Sequence, residues 1–112
     1  MTKLSVLGTK DFDDCILLDR ELNKMTIDVM VVGGKAGPDL LAQTYAIDRD
    51  IPIQVFLPDY KLHGRSANYQ RNLEMIRQSS HLIIFWNQRS RTPFTYLPFI
   101  KGQKKAFRTV MY

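Results

Sequence analysis

The 112-residue chain has a single cysteine, Cys15, so no internal disulfide can brace it. That excludes a disulfide-framed secreted scaffold and suits a reducing, cytoplasmic setting. Apolar runs are short. None approaches the roughly 20 residues that span a bilayer, and Met1–Leu7 turns polar at Gly8–Lys10, too early for the apolar region of a signal peptide. Two histidines and one cysteine, widely spaced, make no metal-ligand pattern, and nothing calls for a cofactor. Acid is missing from the last third: residues 75–112 hold seven Lys/Arg and no Asp/Glu, against nine Lys/Arg and eleven Asp/Glu in residues 1–74. The net charge of +5 therefore collects on one positive face, suited to a phosphorylated small molecule, a nucleic acid or an acidic protein. Repeats, low-complexity tracts and linkers are also lacking. What is present is a 45% hydrophobic chain, enough for one core and a single domain over residues 1–112.

Strand and helix signals alternate. Short apolar strands are expected at Lys3–Leu7, Ile27–Val32, Ile51–Phe56, His81–Trp86 and Lys105–Val110. Helical spacing runs over Asp11–Met25, where Cys15 reads as buried filler, and over Pro38–Arg49, Asn68–Gln78 and the aromatic-rich Phe94–Ile100. Five strands alternating with helices predict an α/β fold: a small Rossmann-like three-layer sandwich with a mostly parallel five-stranded sheet. In such sheets ligands sit outside the carboxyl ends of the strands, near the topological switch point. Four loops should meet there: Gly8–Lys10, Gly33–Gly37, Pro58–Ala67 and Trp86–Pro93.

The stretch Met30–Asp39 carries the clearest functional signal. A buried strand enters a glycine turn, Gly33-Gly34-Lys35-Ala36-Gly37, and Pro38 then suits the first turn of a helix. A helix start of this kind points unpaired N–H groups and a positive dipole end at the turn, an arrangement that favours phosphate or carboxylate. Lys10 and Lys35 read either as solvated lysines or as phosphate contacts at such turns, beside Gly8 and Thr9. Asp39 reads as helix cap or loop support, with ribose hydroxyls as the sharper alternative. Arg65 and Arg71 offer planar, bidentate forks for phosphate; Asn72 can hold a base edge or a neighbouring loop, and His63 reads as a loop residue. Trp86 is a core residue by default and a stacking platform by alternative. Asn87, Ser90, Arg91 and Thr92 add donors at the same rim. Lys101, Lys104, Lys105 and Arg108 read as a solvated face. Phe94, Leu97 and Phe99 cannot all face inward on one short helix, so part of that segment is expected at a dimer contact.

These motifs resemble a known family. Gly8-Thr9-Lys10-Asp11-Phe12 is similar to "G-[ST]-[RK]-x-F", and Gly33–Asp39 is similar to "GGxxGxD". Pro58-Asp59-Tyr60, Gly64-Arg65-Ser66-Ala67, Arg71-Asn72 and Met75 resemble "D-[WY]…G-[KR]-x-A…RNxxM". Phe85–Thr92 resembles "FWDGxSxGT". Together, in order and over nearly the whole chain, they resemble the small SLOG-type proteins of the YspA-like branch, whose superfamily includes cytokinin-activating phosphoribohydrolases and DNA-processing DprA proteins. The resemblance implies a Rossmann-like fold, a nucleotide-derived ligand and frequent homodimers or higher homo-oligomers.

Two departures bear on chemistry. Thr92-Pro93 replaces the family's Gly-Thr, and Pro93 has no N–H to give a phosphate. The phosphoribohydrolases also carry a catalytic glutamate soon after this loop, where Phe94-Thr95-Tyr96 stands here. Cleaving an N-glycosidic bond needs a carboxylate to steady the oxocarbenium-like centre or activate water. The reading is therefore a binding module for a nucleotide, ADP-ribose-like or cyclic-nucleotide signal, acting as sensor or sequestering protein; a phage or mobile-element protein is one conceivable setting. The alternatives are a nucleoside-monophosphate phosphoribohydrolase or N-glycosidase, with Asp39, Asp59 and Glu74 as candidate acids, and a nucleic-acid-binding protein using the acid-free third.

Overall fold

A computed structural model describes residues 1–33 and 37–112; within it the side chains of Thr92 and Pro93 are not described. In chain order the elements are β1 (Lys3–Gly8), α1 (Cys15–Leu22), β2 (Val29–Val32), α2 (Pro38–Asp48), β3 (Ile53–Val55), α3 (Tyr60–His63), a 3-10 turn (Gly64–Ser66), α4 (Ala67–Gln78), β4 (His81–Trp86), α5 (Thr92–Gly102) and β5 (Ala106–Met111). The five strands form one sheet in the order β3-β2-β1-β4-β5, and every neighbouring pair is parallel. This is the expected α/β sandwich, with the sheet wholly rather than mostly parallel.

Both faces of the sheet are covered, so its strands are apolar on both sides. Leu4, Val6, Met30, Val32, Ile83 and Phe85 pack with Leu18 and Leu22 of α1 and Ala42, Tyr45 and Ala46 of α2. Leu7, Val31, Leu82 and Ile84 pack on the other face with Leu73, Met75 and Ile76 of α4 and Tyr96 and Ile100 of α5. The alternation Val6/Leu7, Val31/Val32 and Ile83/Ile84 between the two cores is the period of two that a strand imposes. The connection through α1 moves the chain from β1 to β2 and that through α2 on to β3. The connection through α4 then crosses back to β4, on the far side of β1. The direction of winding reverses between β1 and β4, which makes their carboxyl ends the switch point.

Three local expectations shift. The first helix starts at Cys15, not Asp11, because the Asp14 carboxylate accepts the Leu17 N–H at 3.0 Å and caps it there. Cys15, expected as buried filler, is exposed, since it stands at the first turn with Ile16. The loop before α4 contains one turn of α-helix and a 3-10 turn, with Asp59 capping α3 through Leu62 N–H at 3.1 Å. Among the described residues no helix is long and apolar enough to cross a membrane.

Candidate functional site

A cleft of about 600 Å³ opens at the carboxyl ends of β1 and β4. Its walls come from five elements, β1, α2, α4, β4 and α5, and the loops beside them. The end of β1 and the turn after it supply Gly8, Thr9 and Lys10, and the start of α2 supplies Pro38 and Asp39. The first turns of α4 supply Asn68, Arg71 and Asn72. Ile84, Ser90 and Tyr96 close the β4–α5 side. Helices α2 and α4 thus both begin at the cleft; the first N–H groups of a helix have no intrahelical partner, but in α4 the Ala67 N–H is taken by Gly64 O of the preceding 3-10 turn.

Beneath the cleft lies a continuous polar chain. Gly33 N–H donates to Asp39 Oδ1 at 3.0 Å. Arg71 Nη1 donates to Gly33 O at 2.8 Å, and Arg71 Nε donates to Asn72 Oδ1 at 2.7 Å. Asn72 Nδ2 in turn donates to the Tyr96 hydroxyl at 2.8 Å. The chain ties α2, the end of β2, α4 and α5 together, so the walls of the cleft are fixed relative to one another. It also explains why position 33 is glycine. A Cβ there would sit 2.7 Å from Arg71 Cζ and 2.9 Å from Asp39 Oδ2. Gly37 serves differently: its φ of 76° is the left-handed turn that swings the chain into α2.

Burial pushes the Asp39 carboxyl above its usual range, outweighing the opposing pull of the Gly33 N–H and the Arg71 guanidinium. The Tyr96 hydroxyl is likewise pushed up, chiefly by burial. A second clip holds the neighbouring loops. Tyr112 Oη donates to Asp11 Oδ1 at 2.5 Å and Asn87 Nδ2 donates to Asp11 Oδ2 at 3.1 Å. Asn87 Oδ1 accepts the N–H groups of Arg89 and Ser90, both at 2.9 Å. The bond from Tyr112, with that from Asn87, holds the Asp11 carboxyl below its usual range. Burial and the bond to Asp11 drive Tyr112 up to about 12.

Compared with known proteins, the chain matches no family model, no curated protein and no solved structure.

Of the residues singled out in the sequence, Gly8, Thr9, Lys10, Asp39, Arg71, Asn72 and Ser90 line the cleft. Gly33 and Gly37 stand behind it as the positions that shape its wall. Gly34, Lys35 and Ala36 lie outside the described residues, as does the side chain of Thr92. Arg65 is exposed on the 3-10 turn and does not line the cleft. Trp86 is half-buried, edge-on to Phe94 with a centroid distance of 5.0 Å, and its indole N–H donates to Ser90 O at 2.8 Å. Asn87 acts within the loop clip, and Arg91 is the exposed N-cap of α5. Arg108, read as part of a solvated face, instead binds the Glu21 carboxylate and, through Nη2, Glu21 O at 3.0 Å. Sequence reasoning missed Asn68 and Tyr96. Asn68 was detectable, because it precedes Arg71 and Asn72 by three and four residues and so shares their helix face.

Proposed function

We propose that this chain binds a phosphate-bearing, nucleotide-derived small molecule in the cleft at the β1/β4 switch point, as a sensor or sequestering module without turnover. The observation that carries the reading is the meeting of Lys10, Arg71 and the starts of α2 and α4 at one cleft. An anion there is met by two cationic side chains and the positive end of α2. The volume suits a small molecule, whose sites typically enclose roughly 300–1,000 Å³. Tyr96, Leu7 and Ile84 offer an apolar wall beside the polar one, as a base and a phosphate on one ligand require. The resemblance to SLOG-type proteins supports the same reading, and membership of that family is part of the proposal.

Calorimetry of the chain against nucleoside mono- and diphosphates, ADP-ribose and cyclic dinucleotides tests it. At least one binds, and Lys10→Ala weakens that ligand by about tenfold, the loss of one charge-assisted contact. Absence of binding by every phosphorylated ligand contradicts the reading. One observation favours hydrolysis as a second reading: Asp39 is a carboxylate in the cleft wall whose titration is raised, as an acid catalyst needs. Asp59 caps α3 and Glu74 pairs with Arg77 and Gln78, away from the cleft lining. Release of free base from nucleoside monophosphates, abolished by Asp39→Asn, would replace binding by N-glycosidase action.

A further inference from the structure

The polar chain beneath the cleft runs in one direction only. A guanidinium has donors and no acceptor, so the Asn72 atom that meets Arg71 Nε at 2.7 Å must be the amide oxygen. The other amide atom is then Nδ2, and it donates to Tyr96 Oη at 2.8 Å. The hydroxyl therefore accepts from Asn72 and keeps its own proton to give. Among the described residues no group takes that proton. Burial raises the Tyr96 titration, so the O–H stays protonated at neutral pH. Asn72 Nδ2 likewise has a second N–H beyond the one given to Tyr96. Arg71 thus sets both atoms of the Asn72–Tyr96 bond as donors.

Both residues line the cleft, and Tyr96 is only 7% exposed. Leu7 and Ile84 line the same cleft and share a core cluster with Tyr96. A planar base suits that apolar side, with its polar edge on the two donors. Phosphate oxygens suit Lys10 and the start of α2, where a cation and a helix end lie. Two donor atoms 2.8 Å apart call for two neighbouring acceptors. Guanine and hypoxanthine carry O6 and N7 side by side, both acceptors. Adenine sets an amino group beside N7, and its hydrogens would confront a donor. The paired acceptors of cytosine share one carbon and stand closer together, and uracil separates its two carbonyls by an N–H.

We infer that Asn72 and Tyr96 determine base specificity in the cleft, selecting a 6-oxopurine nucleotide over an adenine nucleotide. This rests on the cleft being the nucleotide site proposed above. An adenine nucleotide leaves a buried donor without an acceptor, and an unpaired buried polar group weakens binding.

The test is calorimetry of the full chain against GDP, IDP, ADP and CDP. GDP and IDP bind about tenfold or more tighter than ADP and CDP. Tyr96→Phe keeps the ring in the core and removes the O–H. It weakens GDP by about tenfold and leaves ADP unchanged. Asn72→Asp reverses the polarity: a carboxylate still accepts from Arg71 Nε but now also accepts the Tyr96 proton, so Tyr96 Oη turns a lone pair to the ligand. The ratio of ADP to GDP affinity then rises by about tenfold or more, whereas a merely structural role would weaken both nucleotides in proportion. Should either variant fail to fold, the four affinities of the unsubstituted chain decide alone. Equal binding of GDP and ADP, or of GDP and CDP, overturns the inference and leaves the nucleotide cleft standing. So does a Tyr96→Phe variant that weakens GDP and ADP by the same factor. Binding of none of the four overturns this inference together with the reading on which it rests.

Discussion

At the scale of single residues, the glycine at position 33 links the Asp39 carboxylate, through its N–H, to the Arg71 guanidinium, through its carbonyl. Gly33→Ala forces a Cβ against Arg71 Cζ and Asp39 Oδ2, at 2.7 and 2.9 Å. Either the guanidinium leaves Gly33 O or the end of β2 shifts. Denaturant unfolding should show a loss of about 1–3 kcal/mol; an unchanged midpoint would mean that Arg71 swings aside freely. Asp39 gives a pH signature whose sign is fixed by its raised titration. A carboxyl raised in the folded state favours the protonated form there. Its contribution is fully present below the ordinary aspartate value and is lost as pH rises through the raised one. The stability of the unsubstituted protein relative to Asp39→Asn should therefore fall across that acidic window and stay level above it. A relative stability that climbs with pH would show that Arg71 and Gly33, not burial, dominate the carboxyl.

At the scale of elements, the loops around the cleft are held by side chains rather than by the ladder. Phe12 is buried in stacked contact with Phe85, at a centroid distance of 4.3 Å, and lies 4.9 Å from the Tyr112 ring. The Tyr112–Asp11–Asn87 clip then joins the loop after β1 to the loop after β4 and to the chain just past β5. Tyr112→Phe keeps the ring packing and removes the bond that contributes most to lowering Asp11. Carboxyl-carbon NMR should find the Asp11 titration moved up toward the usual range, with the Ser90 amide shifted as Asn87 relaxes. An Asp11 that titrates as before would place its stabilisation elsewhere. The expected span of α1 was too long for a related reason. The apolar period in Asp11–Met25 includes Phe12, which is buried from a loop, so periodicity could not separate loop anchor from helix face. Asp14 decides the boundary by capping.

At the scale of the whole molecule, the α/β alternation and the parallel sheet were legible because buried strands such as His81–Trp86 are apolar on both faces and helices such as α1 and α4 carry a 3.6 period. The position of the cleft followed from topology, since the loops after β1 and β4 must meet where the winding reverses. Less legible was the division of labour among polar residues. Arg71 was expected as a phosphate fork, yet its guanidinium also bonds Gly33 O and Asn72. Tyr96 packs against the sheet while its hydroxyl is held by Asn72 at the cleft. Sequence spacing marks which residues reach a rim; it does not say which of them are already engaged by partners from distant elements. The central claim, an anion-binding cleft at the β1/β4 switch point, is tested most directly by mapping amide shifts during titration with a nucleoside diphosphate. The account predicts saturable shifts grouped at Gly8–Lys10, at the start of α2, at Asn68–Asn72 and at Ser90. Shifts gathered at the opposite rim, or none at saturating ligand, would contradict it.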